Sequence, residues 1–216
     1  MGKVMISPVS TGLWQVEGEW FNDILRRTQR LEREGKVAQA CELRFEGAQQ
    51  LLEAVGDEAV RLDWNDSSSR AAMEVLYRSA SDHVMIGEVE MAAALWESLL
   101  ELDEEDHLEA VVPLAFAYVE IEDYDCLEGA MFDISPKSAE YQLLLLWAEY
   151  RRSGGIDRHK AWYEEFTADH HPADEEYLKD CRNERPSPTT EARELWFATE
   201  AMWSRNAEFI MALKKA

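Results

Sequence analysis

The sequence predicts an all-α chain of about ten helices, packed as antiparallel pairs joined by short loops. Three observations carry this. Apolar residues recur at intervals of three and four rather than two. Only six prolines and ten glycines punctuate the 216 residues. Segments of the chain also match one another, while no alternating valine-rich run with a tight Asn-Gly turn suggests a strand.

Taken in order, Trp20, Ile24, Leu25 and Leu31 form a helical stripe that stops at Gly35. Val37, Ala40, Cys41, Ala48, Leu51, Leu52 and Val55 form a second, closed by Gly56. Asp66 to Ser69 offer capping side chains for a helix through Met73, Leu76, Tyr77, Ala80 and Val84, ending near Gly87. Helices are then expected over 89–102, 107–121, 124–132 and 139–150, the last before Ser153-Gly154-Gly155. Pro113 sits in a first turn or marks a kink. Further helices are expected over 156–166 and 174–181. After Pro186-Ser187-Pro188, Thr189 or Thr190 caps a long helix running to Leu213.

Asp and Glu number 44 against 22 Lys and Arg, a formal charge of −22. That disfavours nucleic acid and anionic membrane surfaces, both of which are held by clustered cations. The excess is local: +1 over 1–40, −8 over 41–100, −13 over 101–150 and −2 over 151–216. An apolar fraction of 46% with eight tryptophans excludes a disordered acidic tail. No apolar run exceeds the six residues of Leu143 to Ala148, far short of a bilayer span. Ser7, Pro8, Ser10, Thr11 and Gly12 interrupt the N-terminal stretch, so no signal peptide is expected. Cys41, Cys126 and Cys181 are odd in number and widely spaced, which suits reduced thiols and a cytoplasmic location.

The internal match is specific. Gly35, Val37 and Ala40 repeat as Gly87, Val89 and Ala92, and Leu114-Ala-Phe-Ala-Tyr118 is echoed by Leu146-Trp-Ala-Glu-Tyr150. With Ala92, Trp96 and Leu99 on one helix and Tyr118 on the next, the pattern resembles the tetratricopeptide repeat. It departs from that family where Glu122 replaces the turn glycine and Glu104 the stop proline. The resemblance implies a right-handed α-solenoid forming one domain over 1–216. Its pairs lie at about 14–55, 67–104, 105–135 and 137–169, with terminal helices at 173–183 and 189–214.

In that family the first helices of the pairs line a concave groove that holds a peptide or partner helix. Transferred by position, the groove takes Glu74, Tyr77, Ser81, Val84 and Met85 from the second pair. The third contributes Glu109, Val112, Phe116 and Glu120, and the fourth Tyr141, Leu144 and Arg151. These aromatics and carboxylates suit a partner segment with basic and apolar residues. Trp96, Trp147 and Trp162 read as core. Trp196 and Trp203, seven apart, share a face that caps the array, forms a partner-binding aromatic stripe, or pairs two chains as a homodimer or self-associating structural protein.

Catalytic and cofactor motifs are not found. Glu104-x-x-His107 is the only Glu-x-x-His, so a di-metal carboxylate bundle lacks its second half. No Gly-x-Ser-x-Gly, phosphate-binding or dinucleotide-binding glycine pattern occurs. The expectation is a non-enzymatic scaffold or chaperone-like adaptor without metal or cofactor. The alternative is a metal-dependent enzyme using His83, His170, His171 and nearby carboxylates. Of these, His83 reads as a satisfied interior histidine, and Cys41 and Cys126 as small core residues.

Overall fold

The computed structural model describes residues 4–56, 59–156, 166–168, 174–183 and 187–215. Its first elements correct the all-α expectation. Ile6–Ser10 (β1) pairs antiparallel with Leu13–Val16 (β2), and β2 pairs in parallel with Arg61–Leu62 (β3). The hairpin turns at Thr11-Gly12, where Gly12 takes φ +75°. The small polar residues that read as interruptions are therefore strand and turn. Val16 and Leu62 are buried, and the Val16 N–H donates to Ser69 Oγ at 3.0 Å. At the outer edge β1 carries Pro8 and a register shift between Pro8 and Ser10.

Ten helices follow among the described residues, and the chain divides into two compact units, 1–117 and 118–216. The first unit holds Trp20–Arg33 (α1), Val37–Val55 (α2), Ser67–Ile86 (α3) and Val89–Leu102 (α4). Helix α1 packs on α2 and α3, α2 on α3, and α3 on α4. Phe21, Ile24, Leu51, Met73, Leu76, Trp96 and Leu99 fill the space between them. Close approach depends on small residues. A Cβ at Gly47 of α2 would stand 2.9 Å from Ile24 Cδ1 and 3.0 Å from Val75 Cγ1, so α2 meets both neighbours at glycine distance.

Helix α5, Val111–Glu120, starts later than expected. The Asp106 carboxylate accepts the N–H groups of Ala110 (2.6 Å) and Val111 (3.1 Å), satisfying donors that the first turn leaves open. Pro113 falls in that first turn, where its missing N–H costs nothing.

The second unit contains Tyr124–Ala130 (α6), Ala139–Ser153 (α7), Glu175–Asp180 (α8), Pro188–Trp203 (α9) and Ala207–Leu213 (α10). The single helix expected over 189–214 is two. The Asn206 N–H divides between the carbonyls of Met202 and Trp203, and its side chain donates to Met202 O and Glu120 Oε1, which ends α9. The core is aromatic: Trp203 lies 4.9 Å from Trp147, 5.7 Å from Phe209 and 5.9 Å from Phe166 between ring centroids. Most of the helix expected over 156–166, with Trp162, lies outside the described residues.

Three helix pairs close through one turn geometry. After α1, Gly35 takes φ +73°, its N–H reaches Glu32 O, and Lys36 N–H reaches Leu31 O. After α3, Gly87 at φ +84° and Glu88 make the same two bonds, to Val84 O and His83 O. After α5, Glu122 and Asp123 repeat them to Val119 O and Tyr118 O. This is the Schellman arrangement. Glu122 adopts φ +62°, a conformation that costs a residue with a Cβ about 1 kcal/mol relative to glycine. Its carboxylate meets Arg151 Nη2 of α7 at 2.6 Å, an exposed pair that offsets part of the strain.

Helices α8 and α9 are tied by Asp180, whose carboxylate accepts from Thr190 Oγ1 (2.6 Å), Ser187 N (2.7 Å) and Asn183 Nδ2 (2.7 Å). These bonds, that of Thr190 foremost, hold the carboxyl well below its ordinary range.

Glu122→Gly should stabilise an Arg151→Ala background by about 1 kcal/mol and the wild-type background by less, as measured by urea unfolding of the four proteins. A second expectation concerns acid. Because the folded-state value of Asp180 is depressed, its contribution is present above about pH 4 and is lost as pH falls toward that folded value. The thermal destabilisation by Asp180→Asn should therefore shrink between about pH 5 and pH 2; a pH-independent difference would contradict the assignment.

Candidate functional site

The groove residues inferred from sequence meet different fates. In the first unit Tyr77 is half-buried beside Trp96, and burial together with Asp106 and Glu109 raises its phenol above the ordinary value. Glu74 is held by Arg78 at 2.6 Å, and the Ser81 hydroxyl donates to Tyr77 O. Val84 and Phe116 are buried, Val112 is half-buried, and Met85 is 62% exposed at the end of α3. A fully buried Phe116 supports packing rather than a ligand surface.

In the second unit Glu120 accepts two bonds from Arg205, at 2.8 and 3.0 Å, and Arg151 donates to Glu120 O and Glu122. Both residues hold the chain together. Trp203 is a core residue whose Nε1 donates to Thr199 Oγ1 at 2.7 Å, and Trp196 is half-buried against Phe166.

Tyr141 and Leu144 do share a cavity. Between α6 and α7 lies a cleft of about 560 Å³, within the size range of a small-ligand or side-chain pocket. Tyr124 and Leu127 of α6, with Met131 just beyond it, form one wall. Tyr141, Leu144, Leu145 and Ala148 form the other. Their spacing of three, four and seven puts them on one face of α7. Leu127, Leu144 and Ala148 are buried, whereas Leu145 is 45% exposed.

The charged lining comprises Glu128, Glu149 and Arg152. The Arg152 guanidinium lies over the Tyr124 ring, 4.1 Å from its centroid. Neither carboxylate is engaged in an ion pair among the described residues. Sequence reasoning missed the α6 wall because the groove was assigned to the first helices of the pairs, and α6 is the second helix of its pair. A signal was available on α7: the run Leu143 to Ala148 is apolar on more than one face, so the core alone does not use it.

No protein-family model, curated protein or solved structure matches the chain.

Two other clusters are structural. Arg44, 3% exposed, donates to Asp82 through Nε (2.7 Å) and Nη2 (2.9 Å) and to Glu32 at 2.5 Å, binding α2 to α3 and α1. Burial opposes its charge, but the bonds to Asp82 and Glu32 outweigh it and raise the pKa. Next to it, His83 is buried and donates from Nδ1 to Ser79 O at 2.7 Å. In the loop after α4, His107 Nδ1 donates to the buried Asp103 at 2.6 Å, and its ring stacks on Trp64 at 4.5 Å, fixing that loop.

Among the described residues no group of three or more His, Cys, Asp and Glu is arranged to hold a metal, and no helix is long and apolar enough to cross a membrane. His170 and His171 lie outside those residues. None of the three cysteines is in a disulfide, and Cys126 is exposed rather than core.

Asp82→Ala should cost about 3–5 kcal/mol in urea unfolding, since it strands a buried guanidinium, whereas Arg44→Met with Asp82→Leu should come close to wild type. Equal losses in the two proteins would show that charge pairing is not what the site needs.

Proposed function

We propose that the chain is a non-enzymatic protein-interaction module, built as a tetratricopeptide-like array of helix pairs, whose α6–α7 cleft receives an apolar segment of a partner. The observation that carries this reading is the cleft itself: a floor of buried Leu127, Leu144 and Ala148 beside the solvent-exposed Leu145. Exposed large apolar side chains beside a cavity are characteristic of docking surfaces. The repeat-like reading is supported by the recurrence of one turn at Gly35, Gly87 and Glu122. It is supported also by the packing of α3 against both members of the preceding pair.

The expected partner is a protein segment with basic and apolar residues, because the cleft lies within the most acidic stretch of the chain. Thiols outside disulfides suit a reducing compartment such as the cytoplasm. A scaffold or adaptor role follows from a docking cleft on a helical array.

The test is selection of displayed amphipathic peptides on wild-type protein, followed by fluorescence anisotropy on wild type and Leu145→Glu. At this exposed position the substitution leaves the fold intact and places a charge at the mouth of the cleft. Binders should lose at least about tenfold in affinity on Leu145→Glu, an effect of about 1.4 kcal/mol. Unchanged affinity would remove the cleft from the reading.

A further inference from the structure

We propose that the Tyr124 end of the cleft is a guanidinium subsite, which the chain fills with its own Arg152 until an arginine of the docking segment displaces it. This rests on the docking reading above and adds the chemistry of the occupant.

The contact between Arg152 and Tyr124 shows that the ring face accepts a guanidinium, with the cation 4.1 Å from the centroid. Arg152 is otherwise poorly held. Its residue is exposed, it stands in the last turn of α7, and no hydrogen bond or ion pair restrains its head group among the described residues. By contrast, its neighbour Arg151 is fixed to Glu122 and Glu120 O. Displacing Arg152 therefore costs one exposed cation–π contact and little else.

Charge complementarity selects the replacement. Glu128 on α6 and Glu149 on α7 line the same cleft, so Arg152 leaves them in a two-to-one excess. Once it swings into solvent, two carboxylates and an open aromatic face confront the incoming side chain. An arginine answers both, since its planar fork stacks on the ring and donates to a carboxylate from its edge. A second copy of this chain is disfavoured as occupant because it would bring its own acidic stretch to the same place.

The experiment uses the full chain and two fluorescein-labelled amphipathic helical peptides, one of leucine and arginine, the other with citrulline replacing every arginine. Arg152→Ala should bind the arginine peptide about threefold tighter than wild type, while the citrulline peptide gains nothing. In a Tyr124→Leu background the gain from Arg152→Ala should vanish, whereas a long-range charge effect would survive there. Circular dichroism checks that each variant is folded.

No gain with the arginine peptide, an equal gain with citrulline, or a gain that persists without Tyr124 would each overturn the subsite. In those cases the docking reading still stands if Leu145→Glu weakens both peptides. If neither peptide responds to Leu145→Glu, the docking reading fails, and the subsite with it.

Discussion

Three helix pairs among the described residues reverse direction within two or three residues, and the left-handed residue at that reversal is the constraint on which their architecture depends. A helix leaves its last carbonyls without partners. At Gly35, Gly87 and Glu122 the chain satisfies two of them by turning back at once, and at the first two the next helix packs on the one just finished. Small residues then set how closely the helices approach, Gly47 most tightly of all. Where the left-handed residue is not glycine, the strain is set against an ion pair to α7. In the third pair the turn and α7, two helices further on from α5, are thus coupled through a single side chain.

The same facts explain what could be read from sequence. Glycines at 35 and 87, each with Val two and Ala five positions on, announce the first two turns, because few other residues tolerate φ near +80°. The third turn was legible only by alignment with them, since Glu122 has no local signature. The hairpin escaped because Pro8, Ser10, Thr11 and Gly12 carry no hydrophobic alternation. Its pairing is decided by a parallel strand some forty-five residues further along the chain. The division of the last helix at Ser204 to Asn206 depends on the amide of Asn206 reaching Glu120, a long-range contact invisible to a periodic pattern.

Of the residues placed by positional transfer, Tyr141 and Leu144 line the α6–α7 cleft, while several others are engaged within the fold. Periodicity tells which residues face a neighbour, but it does not tell whether that neighbour is the protein's own core. Phe116 and Leu144 carry similar sequence signals and are both buried, and Leu144 lines the α6–α7 cleft. Glu120 and Arg151 looked like exposed charges because their partners stand far away in sequence or on the backbone. The acidic excess was easier to place, as charge accumulates by segment whatever the fold, and the cleft falls largely within the 101–150 stretch.

The outer strand of the small sheet has a consequence of another kind. An unprotected edge invites a foreign strand to add on, and stacked copies of such edges lead to fibrils. Here Pro8 withholds a donor, and the register shift beside it bends the ladder out of line. The β1 edge is thus blunted by covalent chemistry rather than by charge, while the opposite edge of the sheet is kept to the two residues of β3.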